Sequence, residues 1–195
     1  GVFVLYPMRS HKRRTERSPE IIDFLRKRYP TLVVLSSYEQ RGEYLEGVGS
    51  LVLDRRHRVA YMAASTRSSE RLAERWASFL GYRLLVFNAA DAEGRPIFHT
   101  DFILAVSDEF IFWCPEVIGE ESISLVHDEI KETRRELIEF SREQLGMFVG
   151  NLKQLGYGRE RFHILSTRAY NALTDGQRER IGHHGPIVHT PLDTI

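Results

Sequence analysis

Residues 50–87 read SLVLDRRHRVAYMAASTRSSERLAERWASFLGYRLLVF and contain one complete structural unit. Short apolar runs at 51–53 and 59–62 predict two strands with a polar turn between them. Apolar residues then recur at helical spacing through 68–80, a glycine follows, and another apolar run at 84–87 predicts a third strand. The stretch therefore predicts the order strand, strand, helix, strand.

The same order of signals recurs along the chain. A second copy has strands at 102–106, 110–113 and 137–140 with a helix near 121–134, and a third has strands at 152–155, 162–165 and 187–189 with a helix near 168–180. Residues 2–6, 19–29 and 32–35 match the last three elements of a further copy. About three and a half units, spaced by roughly 45 to 50 residues, predict an α/β repeat architecture. We expect residues 1–195 to form a single domain that is incomplete at both ends, because each unit needs a neighbour for its strand face.

Composition excludes several classes of function. Lys plus Arg and Asp plus Glu both number 27, so no net charge attracts nucleic acid or an anionic membrane. The basic segment 9–17 is most simply a solvated loop, and no apolar run reaches the length of a membrane span. One cysteine, Cys114, rules out an internal disulfide and fits a reducing compartment. We therefore expect a cytoplasmic protein with no nucleic-acid or membrane partner.

Two short motifs carry side chains suited to proton transfer. Glu46 opens the turn Glu46-Gly47-Val48-Gly49-Ser50 before one strand, and His99-Thr100-Asp101 stands at the start of the equivalent strand of the next unit. Residues two apart on a strand share a face, so His99 and Asp101 are expected to look into the same space. Each motif alone also fits a strand-entry turn with solvated polar residues. Equivalent corners of successive repeats can nevertheless converge, and a carboxylate can then orient an imidazole for acid–base catalysis.

Other polar residues have weaker signals. Arg67 lies at a strand-to-helix junction suited to holding a substrate carboxylate, and Asn151 opens a strand where its amide can reach a ligand, although a surface arginine and a left-handed turn asparagine are the simpler interpretations. Cys114 follows a strongly apolar strand, which predicts a buried structural thiol. The histidines His183, His184 and His189 lack the spacing of a metal site, so we expect no metal.

Taken in order, the motifs resemble the guanidino-group modifying superfamily of arginine deiminases and amidinotransferases, and most closely its bacterial amidinotransferase-like branch associated with citrulline utilisation. The likeness covers nearly the whole chain. It is carried by Val4-Leu5-Tyr6-Pro7-Met8, Arg13-Arg14-x-Glu16-Arg17, Glu46 to Arg55, Ala60-Tyr61, Ser65-x-Arg67, Pro96-Ile97-Phe98-His99-Thr100-Asp101 and Gln144-x3-Phe148-x-Gly150-Asn151.

This resemblance implies a pentein-type propeller of five ββαβ units. It implies that His99 is the general acid/base, that Glu46 orients it, and that Asp101 binds the substrate guanidinium, with Arg67 and Asn151 as further substrate contacts. The implied reaction uses a cysteine thiolate and needs no metal or organic cofactor. The family places this cysteine beyond the strand that 187–189 matches, and Cys114 matches a core position instead.

We therefore expect an amidinotransferase or an arginine deiminase-like hydrolase acting on arginine- or citrulline-type guanidino or ureido compounds, with residues 1–195 alone inactive. The alternative from another class is a noncatalytic propeller module that binds a protein or ribosome partner. A third is a subunit whose missing units come from another chain, and association into a homo-oligomer stays open.

Overall fold

Four sheets follow one another in the computed structural model, which describes residues 1–157 and 160–192. The first sheet pairs two parallel strands, β1 (Val2–Leu5) and β2 (Thr31–Val34). The others have three strands each: β3 (Val52–Asp54), β4 (Val59–Ala63) and β5 (Arg83–Phe87); β6 (Leu104–Val106), β7 (Phe110–Trp113) and β8 (Glu136–Glu139); β9 (Lys153–Tyr157), β10 (Glu160–Ser166) and β11 (Ile187–Thr190). In each of these, the middle strand pairs antiparallel with the strand before it and parallel with the strand after it.

A helix precedes the last strand of every unit, as the parallel crossover requires. The helices are α1 (His11–Arg14), α2 (Pro19–Arg28), α3 (Glu70–Leu80), α4 (Glu120–Glu132), α5 (Arg142–Leu145), α6 (Thr167–Ala172) and α7 (Asp175–His183). The predicted ββαβ order is confirmed in the three complete units, and the βαβ order in the first.

Local sequence signals set the ends of these helices. The Ser18 hydroxyl accepts a hydrogen bond from the Ile21 N–H ahead of α2, and Gly81 ends α3 in the left-handed conformation at φ +68°. The single helix predicted near 168–180 is wrong, because Leu173 is extended and Thr174 begins a new helix with a capping box. The loop predicted for the basic segment contains the short helix α1.

Strand β4 joins two hydrophobic cores. All five of its residues are buried, and successive side chains point to opposite faces. Val59, Tyr61 and Ala63 belong to a core shared by the second, third and fourth units, whereas Ala60 and Met62 pack with α3 in a smaller core towards the first unit. The first strands of successive complete units also contact one another, β3 with β6 and β6 with β9. The turns that precede these strands are thereby brought together.

Two of these turns approach so closely that one position requires glycine. Residues 100–102 and 149–151 each form a 3-10 helix, and these two segments pack together. A Cβ at Gly150 would overlap the carbonyl oxygen of Phe102. Phe148, not Asn151, adopts the left-handed conformation, with φ +64°.

Gly150→Ala is expected to lower the free energy of unfolding by about 1–3 kcal/mol, because the new methyl group forces these two backbones apart. Gly182→Ala is the matched control, since Gly182 lies in α7 with open space around its Cβ position. This control should raise stability by about 0.5–1 kcal/mol. Urea unfolding measures both variants, and equal effects would contradict the close-approach explanation.

A buried ion pair connects the second and third units. Asp54, which is fully buried, accepts hydrogen bonds from the Arg135 guanidinium and from the His57 N–H at 3.0 Å. Burial opposes ionisation of Asp54, but these hydrogen bonds and the Arg135 charge outweigh it and hold the pKa of Asp54 below its usual value. Because the folded pKa is the lower one, the ionised carboxylate stabilises the fold above the unfolded pKa, and this contribution is lost as the pH falls through the folded pKa.

Asp54→Asn is expected to lower the free energy of unfolding by about 3 kcal/mol near neutral pH, because it leaves Arg135 buried without its counter-charge. The variant should also lose part of the wild-type drop in stability below about pH 4, where an unfolded aspartate takes up its proton. Urea midpoints measured from neutral to acidic pH check both effects. A variant with the wild-type slope against pH would show that Asp54 is not the group responsible.

Candidate active site

The Glu46 turn has the conformation that its glycines allow. Gly47 has φ +59°, and the Leu51 N–H donates to the Gly47 carbonyl at 2.8 Å, which leads the chain into β3. The turn places the Glu46 side chain in the interior, where only 4% of it is exposed. The alternative interpretation of Glu46 as a solvated surface residue is therefore wrong.

His99 lies directly against this turn. Its Nε2 is 2.9 Å from Glu46 Oε2, a contact that joins residues 53 positions apart in the chain. A Cβ at Gly49 would lie 3.1 Å from His99 Cδ2, so glycine leaves the space that the ring occupies. Since a carboxylate only accepts hydrogen bonds, His99 donates through Nε2, and Nδ1 is the ring nitrogen left to exchange a proton. The predicted pairing of Glu46 and His99 is thus present as a direct hydrogen bond.

The strand expected at His99-Thr100-Asp101 is wrong. Residues 100–102 form a 3-10 helix preceded by His99, and β6 begins only at Leu104. The two-residue alternation of a strand therefore gives no information about His99 and Asp101. What positions His99 is instead its place at the start of the turn, where the Thr100 N–H donates to the Gly49 carbonyl at 2.7 Å.

Glu46 has a second donor that the sequence does not indicate. The backbone N–H of Arg9 donates to Glu46 Oε1 at 2.9 Å, so the two carboxylate oxygens have separate partners. The neighbouring Met8 N–H donates to Glu39 Oε1 at 2.8 Å, and Glu39 also pairs with Arg14 and Arg17. The basic segment 9–17 is in this way fixed against the site by its backbone and by Glu39.

Arg67 occupies the predicted junction between β4 and α3. Its Nη1 is 3.8 Å from Glu46 Oε2, and its guanidinium stacks over the Phe98 ring at 5.2 Å. The side chain is 38% exposed, and its Nε is buried with no hydrogen-bond partner among the described residues. Arg67 therefore offsets the buried charge of Glu46 and still has a donor free for a ligand.

Asp101 and Asn151 lie in the two 3-10 segments that pack together. Asp101 Oδ2 is 3.6 Å from Lys153 Nζ, a neighbour that sequence reasoning missed. Within the described residues, Asp101 Oδ1 and Asn151 Oδ1 are buried and accept no hydrogen bond. Two unfilled acceptors can receive N–H groups, which is the chemistry that a guanidinium presents.

Cys114 is a core residue, as predicted. Its N–H donates to the Ile103 carbonyl at 2.9 Å between β7 and a short 3-10 helix, and the residue is fully buried. Burial, with a smaller contribution from the charge of Glu116, raises the pKa of the Cys114 thiol to about 12. A neutral, enclosed thiol is a poor nucleophile.

The C-terminal histidines have other partners. His184 Nε2 is 2.6 Å from Glu136 Oε2, and His189 stacks on the Tyr170 ring at 4.1 Å. Across residues 1–157 and 160–192, no group of three His, Cys, Asp or Glu side chains could hold a metal ion. None of the helices in this part of the chain has the length and apolarity needed to cross a bilayer.

Comparisons with known proteins agree on the fold. A family model described as N,N dimethylarginine dimethylhydrolase, eukaryotic, matches residues 1–195. The N-terminal domain of ArgZ, an arginine dihydrolase from the ornithine-ammonia cycle in Cyanobacteria, was solved as a cysteine-to-serine variant with substrate; it superposes with a TM-score of 0.75 at 16% identity, over 98% of this chain and 64% of that one. No curated protein sequence matches the chain significantly.

Two further structures have the same fold. AgrE in complex with L-arginine superposes with a TM-score of 0.75 at 18% identity, over 98% of this chain and 26% of that one. A dimethylarginine dimethylaminohydrolase adduct with 4-chloro-2-hydroxymethylpyridine gives a TM-score of 0.59 at 15% identity, over 96% and 65%. The chain therefore spans less than two thirds of each of these matched chains.

Cys114 is expected to resist thiol reagents in the folded protein. With a pKa of about 12, almost none of the thiol is ionised at mildly alkaline pH, and the side chain is enclosed. Peptide mapping after brief treatment with iodoacetamide should find Cys114 unmodified in native protein and fully modified in urea. Rapid labelling of the native protein at this position would contradict its assignment to the core.

Proposed function

The chain belongs to the family described as N,N dimethylarginine dimethylhydrolase, eukaryotic, and we propose that it forms the acid–base and guanidinium-binding part of a hydrolase acting on guanidino compounds. The observation that carries this proposal is the hydrogen-bonded series Arg9 N–H, Glu46 carboxylate, His99 imidazole. A buried carboxylate that fixes one ring nitrogen leaves the other directed to a reacting group.

The substrate guanidinium would bind at Asp101 and Asn151. Their unfilled oxygens can accept N–H groups from a planar cation. Arg67 has a free donor and is partly exposed, which suits it to an anionic group such as the carboxylate of an amino acid. An α-amino acid with a guanidino side chain, such as arginine or a methylated arginine, has a cation for Asp101 and a carboxylate for Arg67.

The chemistry that we propose is covalent. A cysteine thiolate adds to the guanidinium carbon, and the bond from this carbon to the leaving nitrogen breaks as that nitrogen takes a proton from His99. Water then adds to the same carbon and gives a proton to His99. Breakage of the carbon–sulfur bond releases the ureido product and the thiolate.

We infer that the thiolate is supplied from outside residues 1–195. Cys114 is the single cysteine within them, and it is enclosed in the core with a pKa raised to about 12. The ArgZ domain was captured covalently bound to a reaction intermediate, which agrees with a covalent route. The four units would then be sectors of a five-unit propeller, an arrangement favoured by the contacts of β3 with β6 and of β6 with β9.

Several finer points stay predictions. Membership of the citrulline-utilisation branch, a cytoplasmic location and association into a homo-oligomer rest on the sequence alone. We propose hydrolysis in preference to amidino transfer, because the matching family and two of the structural neighbours, ArgZ and the dimethylarginine dimethylaminohydrolase, are described as hydrolases.

The test uses the complete protein that carries residues 1–195, assayed for ammonia or amine release from L-arginine and N,N-dimethylarginine. His99→Gln is expected to lower kcat by about 100-fold or more, the usual contribution of general acid–base catalysis. His127→Gln is the matched control. His127 lies on α4, and its ring packs against Trp113, which is not a site residue. This control should retain wild-type turnover.

Four outcomes decide between the alternatives. Loss of turnover in His99→Gln with activity retained in the control supports the proposal, and normal turnover in His99→Gln removes His99 from the mechanism. Calorimetric binding of L-arginine without any turnover of either compound would favour the noncatalytic binding module. Transfer of the amidino group to an added amine would replace hydrolysis by transfer.

A further inference from the structure

Two buried hydroxyl groups connect the backbone segments that hold the acid–base pair. Ser50 ends the Glu46 turn, and Thr100 follows His99; both are fully buried. They lie in different units, and neither hydroxyl is needed to continue a strand or a helix. The two hydroxyl groups form hydrogen bonds with the Glu46 turn, with the Arg67 carbonyl and with the last residue of β4.

Ser50 joins Glu46 to Arg67. Its Oγ accepts a hydrogen bond from the Glu46 N–H at 2.7 Å and donates to the Arg67 carbonyl at 3.0 Å. A hydroxyl group can do both at once, whereas a methyl group can do neither. The distance between the Glu46 and Arg67 backbones is therefore fixed through one atom.

Thr100 joins His99 to the same turn. Its Oγ1 donates to the Ser50 carbonyl at 2.6 Å and accepts from the N–H of Ala63, the last residue of β4, at 2.8 Å. Its own N–H donates to the Gly49 carbonyl at 2.7 Å. Three hydrogen bonds from one residue thus hold the His99 turn against both the Glu46 turn and the end of β4.

We propose that Thr100, with Ser50, is a positioning residue for the Glu46–His99 pair, an inference that rests on the proposed function. The pair is a contact between two units, and its geometry depends on how the two turns are docked. Hydrogen bonds inside a dry interior are strong, and linked hydroxyl groups polarise one another. A displacement of about 1 Å in an acid–base group costs on the order of 100-fold in rate, so this docking affects turnover directly.

The experiment compares two buried threonines in the complete protein. Thr100→Val keeps the shape of the side chain and removes the hydroxyl, and Thr100→Ser keeps the hydroxyl. Thr133→Val is the matched control, because the Thr133 hydroxyl is also buried, donates to the Ile130 carbonyl at 2.7 Å and accepts from the Arg135 N–H at 3.4 Å, away from the site. We expect both valine variants to melt at lower temperature.

Of the two valine variants, only Thr100→Val should lower kcat, by about 10-fold or more, with KM changed less than about threefold. Thr100→Ser, which keeps the hydroxyl, should have most of the wild-type kcat. In a Glu46→Gln background, the same substitution should have a much smaller effect, because the contact that Thr100 positions is already weakened. The ¹⁵N resonances of the His99 ring should shift in Thr100→Val and stay unchanged in Thr133→Val.

Equal kcat in wild type and Thr100→Val, or a fully additive double variant, would overturn the proposal. If Thr100→Val does not fold, Ser50→Ala tests the positioning of Glu46, since it removes the hydroxyl that links the Glu46 N–H to the Arg67 carbonyl. Wild-type kcat in that variant also overturns the proposal. Failure of the proposed function is distinguishable, because His99→Gln would then retain turnover. Loss of activity in His99→Gln together with a wild-type kcat in Thr100→Val overturns only the positioning role.

Discussion

Burial of the Glu46 carboxylate is the constraint on which the site depends. With 4% of the side chain exposed, the group gives up most of its hydration, a cost of several kcal/mol for an ion unless other groups replace the water. The replacements come from three segments: the Arg9 N–H, the His99 ring and the Arg67 guanidinium. One buried charge thereby fixes the basic segment of the first unit and the turns of the second and third units around a single point.

The repeat explains why these segments are within reach. The Glu46 turn precedes β3, residues 99–102 precede β6, and residues 149–151 precede β9. Since β3 contacts β6 and β6 contacts β9, the three preceding turns lie side by side. Residues far apart in sequence meet because they occupy the same place in neighbouring units, which is a general property of repeat folds.

The sequence predicted two kinds of feature: those that produce a periodic pattern of apolar residues, and those that depend on the type of a side chain. Apolar periodicity gave the ββαβ order, and equivalent positions in two repeats gave the meeting of Glu46 with His99. Backbone donors have no residue signature, so the Arg9 N–H was missed. Short 3-10 helices have no useful period, so residues 100–102 were assigned to a strand. The break at Leu173 between α6 and α7 depends on a capping box that is visible only once the helix boundaries are known.

The distribution of satisfied and unsatisfied polar atoms divides the site into two parts. Glu46, Ser50 and Thr100 have partners within the described chain, so these groups are already oriented. Asp101 Oδ1 and Asn151 Oδ1 are buried without partners there, and each such atom costs about 1–3 kcal/mol. A fold tolerates that cost where a ligand removes it on binding, because the free energy lost by the empty site then contributes to affinity.

Lys153, at 3.6 Å from Asp101 Oδ2, offsets only part of the Asp101 charge through a loose and partly exposed contact. A guanidinium that forms paired hydrogen bonds with the carboxylate would compete effectively with so weak a partner. In the proposed function, orientation of the acid–base pair and recognition of the cation are therefore carried out by different residues.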